Sequence, residues 1–575
     1  MRFWIRSLAA LACMALALCL PGVAALAEGQ ASSSSLELRI QNQEQALGEA
    51  VDASRKASDI TRKCKIRTSE DDRDRLTDSH VNTGCRFDGK TGWITVEMPS
   101  GTRPGAVRIE WLYDPTGYEL IEYGADEAEL RTRTLSDTFP GIYTMFALLP
   151  ETRFLRLKLT GGDQVVVNLA VYSEGVLPYD VQTWLPPVEK ADMMVLSTHQ
   201  DDEVVFLGGT IPYSDVVCKR PTVTVYMANC GRERRREALE CLWAMGSRNY
   251  PEFINLEDDK VGSIEKGIAL WGGRDNILKL LVERIRRYKP EVIVTQDFDG
   301  EYGHNQHKIV ARATPYAVQA AADPTQYPES YAQYGAWQVK KLYIHLYQDN
   351  EIHMDWHAAQ PALGGMSLLK VAQLGMEKHA SQTKYYKVKD QSQYDNSRFG
   401  LYMTTVGADV VKDDFFENID ADASARYLAE QAAAAREIPA QPEGESGEIA
   451  ETLEEAPADG ETGSAAEQDA EILNVEGTSG ASGDPTAAPP AEAPSQPRTG
   501  TGDSGERRSG IGPIAMVCAG VAAAVGAGAW ALSRRSGGRR RKKRRQAGVY
   551  ARRTAKGTAK APTGNTTKGR HAAKR

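Results

Sequence analysis

The chain has 575 residues, 41% of them hydrophobic and 25% charged, which is enough for more than one buried core. Its 69 lysines and arginines stand against 77 acids, but 17 of the cations fall after Leu532 and two within the first six residues, so the rest carries 50 cations against 77 acids. Such an acidic main body argues against nucleic-acid binding by that part of the molecule.

The opening "MRFWIRSLAALACMALALCLPGVAALA", residues 1–27, combines two arginines, an apolar run, Pro21 and the small-residue pattern Ala25-Leu26-Ala27. It reads as a secretory signal peptide cleaved before Glu28. A lipid anchor at Cys13 fits less well, because too little of the apolar run precedes it.

Residues 36–178 contain short alternating runs, "GWITVEMP", "AVRIEWLY", "RFLRLKL" and "QVVVNLAVY", separated by Gly, Pro and Asp. The pattern predicts an all-β sandwich or jelly roll. In strand pattern it resembles discoidin-like and carbohydrate-binding jelly rolls. Cys64 and Cys85 lie within it, and in an exported chain a disulfide between them and a pair of free thiols are both open.

After "LPYDVQTWLPPVEK" the rhythm changes. Over residues 188–420 the apolar runs "MMVLS", "TVTVYMA" and "EVIVTQ" alternate with amphipathic stretches "RRREALECLWAMG", "NILKLLVERIRRY" and "HKIVARATPYAVQAAA". This predicts an α/β fold, a Rossmann-like, mostly parallel sheet with helices on both faces, whose ligands collect beyond the carboxyl ends of the strands. "MMVLS" runs straight into His199, Gln200, Asp201, Asp202 and Glu203, and "EVIVTQ" into "DFDGEYGHNQHKIVA", where His304 and His307 are three apart at an expected helix start. Histidines and a carboxylate converging from separate strand ends are the donor types of a catalytic zinc site with one position open.

These residues carry a family resemblance. "THQDDE" resembles the His-Pro-Asp-Asp-Glu signature and "GHNQH" the Gly-His-x-Asp-His signature of the PIG-L (LmbE-like) zinc-dependent N-deacetylases, and "RRREALECLWAMG" is similar to that family's Arg-x-x-Glu helix, with Arg234, Glu237 and Gly246 in the matching places. The resemblance implies one zinc ion per domain held by His199, Asp202 and His307, with Asp201 as general base. By chemistry, His304 and Tyr302 stand where donors to the oxyanion are needed and proton delivery falls to Asp201 or His304, while Arg234 reads as either a solvated helix residue or, given the family match, a substrate contact. Gln200 stands where the family has proline and Gln306 where it has an acid, which would orient or charge-balance His304. His345, His353, His357 and His379 have no ligand spacing, Arg232, Arg235 and Arg236 read as surface residues, and Cys218, Cys230 and Cys241 leave an odd count.

Residues 421–509 are rich in Ala, Glu, Gly, Pro and Ser and read as a disordered acidic stalk. "IGPIAMVCAGVAAAVGAGAWAL", 511–532, is uncharged, and 22 residues at about 1.5 Å each span a hydrocarbon layer of about 30 Å. The 533–575 tail with its 17 cations and no acid is then cytoplasmic. A cleaved sorting signal is the competing reading, although the tail is long for one. The expected protein is a single-pass cell-membrane protein, bacterial, with its N-terminal domains outside, that deacetylates N-acetylglucosamine-type amino sugars of an extracellular or envelope glycan or glycoconjugate. The alternatives are a catalytically silent glycan-binding surface protein and a zinc amidase acting on cell-wall peptide.

Overall fold

The computed structural model describes residues 36–437 apart from Ser79, Asn82, Lys90, Pro140 and Gln391. The expected signal peptide, the membrane span at 511–532, the basic tail and all but the start of the stalk lie outside the described residues. Among the described residues no helix is long and apolar enough to cross a membrane.

Residues 36–47 are helical rather than extended, and Arg39 and Gln43 on this helix donate to the carbonyls of Leu177 and Gly175 at 2.7 and 3.1 Å. Nine strands follow: β1 (Lys65–Thr68), β2 (Cys85–Phe87), β3 (Trp93–Glu97), β4 (Pro104–Trp111), β5 (Tyr118–Tyr123), β6 (Glu129–Thr134), β7 (Tyr143–Ala147), β8 (Phe154–Leu159) and β9 (Gln164–Ser173). They form two antiparallel sheets, β1-β3-β8-β5-β6 and β2-β9-β4-β7. Residues that alternate between buried and half-buried in β3 and β8 place Ile94, Val96, Leu155 and Leu157 in one core with Phe87, Trp111, Tyr118 and Phe146. The sandwich is therefore present, and of the two states left open for its cysteines the structure shows free thiols. Cys64 and Cys85 are both free thiols: the Cys64 sulfur sits 3.9 Å from that of Met98, and the Cys85 thiol faces the Thr68 hydroxyl at 3.8 Å. Burial raises both thiols above their ordinary range, Cys64 to about 11.

The second sheet has strands β10 (Met193–Ser197), β11 (Thr222–Asn229), β12 (Glu252–Glu257), β13 (Val292–Thr295), β14 (Lys341–His345) and β15 (Phe399–Thr404), in the order β12-β11-β10-β13-β14-β15. All neighbours are parallel except β15, which closes one edge antiparallel. Along β10, Met193 and Val195 enter one apolar core while Met194 and Leu196 enter another on the opposite face. Both faces are covered, which is why this strand is apolar throughout rather than alternating. The order reverses direction between β10 and β13, and the crevice at their carboxyl ends is where a doubly wound sheet binds its ligand.

The sandwich packs on this domain through the helix Arg232–Met245. Arg235 of that helix donates to both carboxylate oxygens of Asp114 at 2.8 and 2.9 Å, and its guanidinium lies 4.3 Å from the Phe253 ring centre. Arg232 reaches to 4.0 Å from Glu110, and the Ile142 amide donates to the Tyr250 hydroxyl at 3.2 Å. These arginines are thus interface residues rather than solvated ones, because the sandwich supplies acids opposite them. At the other end, the first residues of the expected stalk form the helix Ala423–Glu437. Its alanines and glutamates favour helix, and Tyr427 and Ser424 tie it down, against the Trp337 ring at 5.7 Å and the Asp192 carboxylate.

Candidate metal and hydrolytic site

The two strand ends at the switch point are fastened together before any catalytic group is placed. The Gln296 side-chain oxygen, just past β13, accepts from the Thr198 amide at 3.0 Å and from the Thr198 hydroxyl. Gln200 makes a second clasp, donating to the Ala228 carbonyl at 2.7 Å and accepting from the Cys230 amide at 3.0 Å. A proline there could make neither bond.

Between these clasps the chain turns sharply into the short helix Asp202–Val205. Asp201 takes φ 150° and ψ −23°, a conformation that side-chain-bearing residues avoid. Several contacts hold it there. Its amide donates to Glu203 Oε2 at 2.7 Å, and its carboxylate meets the Arg234 guanidinium at 2.6 Å. Glu203 is fixed in turn by His379 Nε2 at 2.7 Å.

His304 occupies the position just before the helix Asn305–Ala322, and His307 lies within its first turn. The preceding turn has positive φ at Gly300, Glu301 and Gly303, and a Cβ on Gly300 would lie 2.4 Å from the His304 carbonyl. That tight turn drives the Glu301 carboxylate inward, where it faces His307 Nδ1 at 2.6 Å and His345 Nδ1 at 3.1 Å.

Three donor atoms converge. His199 Nδ1 is 3.0 Å from Asp202 Oδ2 and 3.0 Å from His307 Nε2, and the last two are 3.2 Å apart. Bonds of about 2.0–2.1 Å put tetrahedral zinc ligands about 3.3 Å from one another, so this triangle is close to one face of such a site. The outer partners agree. Glu301 accepts from His307 Nδ1, and Gln306 Oε1 at 3.2 Å and Asp258 Oδ1 at 3.5 Å face His199 Nε2, so each imidazole keeps its other nitrogen for the triangle. Three donor atoms this close share either protons or a cation, and a metal ion would displace those protons, so the residues present fit a metal ion. His304 joins the group, the ligand atoms of His199, His304 and His307 lying within 4.8 Å of one another, and its Nδ1 is buried without a hydrogen-bond partner.

The electrostatics are divided sharply. Burial would lower His199 and His307, but the Asp202 carboxylate outweighs it and raises them to about 10 and about 9. Asp202 is held well below its usual range, because the two imidazoles overcome the opposing effect of burial. Asp201, by contrast, is pushed up to about 7 by burial and by its neighbour Asp202, with Arg234 opposing. Burial and the cationic neighbours His307 and His199 lower His304 to about 4.

A cavity of about 480 Å³ opens onto these groups, lined by His199, Asp201, Asp202, Arg234, Tyr302 and His304 and also by Asp258, Asp259, Lys260, Gln382 and Tyr386. The residues singled out in the sequence thus come together, with one correction. Arg234 lines the cavity and also braces the acid, meeting the Asp201 carboxylate and donating to the Gln200 carbonyl at 2.7 Å from Nε. Gln306 faces His199 rather than His304, because its place in the first helical turn turns it toward β12, where its amide donates to the Glu257 carbonyl at 3.1 Å.

Residues 194–318 match the family model described as GlcNAc-PI de-N-acetylase, PIG-L, and that span holds every donor in the triangle. Residues 194–318 are a PIG-L domain. Two curated relatives are a 1D-myo-inositol 2-acetamido-2-deoxy-alpha-D-glucopyranoside deacetylase 2 of Saccharopolyspora erythraea, 40% identical over 26% of this chain and 63% of its own, and a mycothiol S-conjugate amidase of Streptomyces coelicolor, 36% identical over 20% and 40%. The chain therefore spans less than two thirds of either. Among solved structures, N,N'-diacetylchitobiose deacetylase from Pyrococcus horikoshii aligns with 34% of this chain and 72% of its own at 16% identity and a TM-score of 0.25, too low to carry an argument.

Several working parts of the PIG-L site had no signal that sequence reasoning used. Glu301 stands inside "DGEYGH" and could have been marked as an acid beside a ligand histidine. Asp258 follows β12, a strand whose run "EFINLE" is only half apolar. His345 and His379 stand outside the triangle; each meets an acid that holds the site, and only the fold brings them there.

Proposed function

We propose that this protein is a zinc-dependent N-deacetylase acting on N-acetylglucosamine-type amino sugars of an extracellular or envelope glycan. The observation that carries the reading is the facing pair of imidazole nitrogens with the Asp202 oxygen beside them, next to a carboxylate that Arg234 braces. His199, Asp202 and His307 would hold a zinc ion, which would supply Lewis-acid polarisation of the amide carbonyl and acidify the attacking water.

The chain's own groups do the rest. Asp201 accepts the proton of the attacking water and returns it to the departing amine. Its raised affinity for a proton suits both halves of that task. His304 stays neutral and Tyr302, its phenol raised by burial and by Asp202, keeps its proton, so both can donate to the developing oxyanion. Ring spacings of 5.7 Å from Tyr302 to both His304 and His307 keep the phenol over the site.

Acetate release from N-acetylglucosamine oligosaccharides and wall fragments, with wild type, Asp201→Asn and a chelated sample, tests the reading. Release of acetate that both changes abolish is the expected result. Tight binding without release from any substrate would make it a silent glycan-binding protein. The amidase relative keeps a second reading alive, in which the amide lies in a peptide or thiol conjugate; release of amino acid instead of acetate would select it.

The cell-surface location is part of the proposal and rests on the leader at 1–27, the uncharged run at 511–532 and the 17 cations beyond it. Protease added to intact cells is expected to remove the PIG-L domain and spare the tail. Loss of both together would overturn this topology.

A further inference from the structure

We propose that His379 is a positioning residue for this hydrolysis: acting through Glu203, it holds the base Asp201 in the backbone conformation that its task requires. The proposal rests on the deacetylase reading and adds to it a residue from outside the matched span 194–318.

Asp201 needs an outside hold. With φ at 150° it keeps its place only where its surroundings fix it, and its amide is fixed by Glu203 Oε2 at 2.7 Å. That carboxylate folds back on the residue two places before it, while its other oxygen, Oε1, meets His379 Nε2 at 2.7 Å. Each oxygen of Glu203 thus has one task. Glu203 and His379 are both fully buried, and neither lines the cavity, so His379 reaches the chemistry only through the acid. An unpaired carboxylate oxygen in such a place is costly. Deprived of His379, the carboxylate would turn toward another donor and loosen its hold on the Asp201 amide.

His379 is itself placed firmly. The helix Leu368–Met376 ends just before it, and the His379 amide donates to the Met376 carbonyl at 3.1 Å. Gly375 lets that helix lie close on the Arg232–Met245 helix, since a Cβ there would be 2.7 Å from Met245 Cγ and 3.1 Å from Cys241 Sγ. Two residues beyond His379, Ser381 donates to Glu237 of the same helix from its amide at 2.7 Å and from its hydroxyl at 2.6 Å. His379 Nδ1 lies 3.9 Å from Glu237 Oε2, so the ring stands between two buried carboxylates. The segment goes on to Gln382 and Tyr386, which line the cavity. One stretch of chain therefore supplies part of the cavity wall and the brace of its base.

The Cys241 sulfur lies within 4.8 Å of the ligand atoms of Glu203 and His379, a set that could also hold a metal ion. The 2.7 Å between Nε2 and Oε1 argues for a shared proton instead: it is a hydrogen-bond length, well short of the about 3.3 Å between ligands of a tetrahedral zinc.

Kinetics and hydrogen exchange on the full-length, zinc-loaded protein test this with two variants. His379→Leu removes the donor, and His379→Gln restores an N–H near the place of Nε2. His379→Leu is expected to lower kcat for acetate release by about 10- to 100-fold at unchanged KM and zinc content, and His379→Gln to recover it to within about threefold of wild type. Exchange of the Asp201 amide is expected to quicken about tenfold in the leucine variant and not in the glutamine one. Should the leucine variant not fold, His379→Asn, whose amide is too short to reach Glu203, takes its place. A histidine that only stabilised the fold would lower the melting temperature and leave kcat per zinc-loaded molecule unchanged; that result would overturn the proposal. So would a glutamine variant as slow as the leucine one, or a second zinc ion in wild type that is lost with His379. Protein that releases no acetate yet shows the exchange difference discards the deacetylase reading alone. Acetate release with neither kcat nor exchange altered discards the positioning role alone.

Discussion

Arg234 holds Asp201 at 2.6 Å while donating to the carbonyl of Gln200, the residue before it. One guanidinium therefore fixes both the carboxylate and the peptide that carries it, in a backbone conformation that Asp201 would not keep unaided. Arg234→Met is expected to lower kcat by about 10- to 100-fold with little change in bound metal, a loss of positioning. Steady-state kinetics paired with metal analysis would show it.

Asp201→Asn removes the base and preserves its shape. A general base contributes roughly 10²- to 10⁴-fold, so acetate release should fall on that scale while zinc content and melting temperature stay near those of wild type.

The pH dependence follows from the same carboxyl. Burial and Asp202 hold Asp201 at about 7, and it must be ionised to take the water's proton. Rate should therefore fall as pH drops through that value, since a raised carboxyl pKa leaves the group protonated below it. Arg234 favours the ionised form, so Arg234→Met should move the acidic limb of kcat/KM to higher pH. An unmoved limb would assign that ionisation to another group.

His307→Ala should abolish zinc binding, and Glu301→Gln should weaken it by about 10- to 100-fold, because an outer partner fixes the tautomer of its ligand. Competition with a chromogenic chelator measures both. Undiminished zinc in His307→Ala would remove the proposed ligand set.

Breaking the Arg235–Asp114 pair with Asp114→Ala should cost about 1–2 kcal/mol, the range of a charge-assisted hydrogen bond discounted for partial exposure. Chemical denaturation measures it.

The legible parts of the sequence were those where chemistry and local pattern coincide. "MMVLS" gave β10 because a strand covered on both faces must be apolar throughout, and "THQDDE" followed it closely enough to place His199 and Asp202 at a strand end. The helix beginning at Asn305 was marked by its apolar period and carried His304 and His307 with it. What escaped depends on distance along the chain. His379 reaches Glu203 across 176 residues and Asp114 reaches Arg235 across 121, contacts made by folding and written in no local spacing. The state of Cys64 and Cys85 stayed open for a related reason: two cysteines in one sandwich say nothing of which neighbours their strands will offer.

The interface between the sandwich and the Arg232–Met245 helix sets the smallest piece of this protein that can stand alone. The family match covers 194–318, yet β14 and β15, which complete the sheet, lie beyond it, and Arg235 and Tyr250 turn toward residues before 150. A fragment cut to the matched span would lack two strands and present bare arginines and aromatic rings where the sandwich had been. Cooperative folding joins what contacts join, so the foldon that carries the chemistry reaches across both domains.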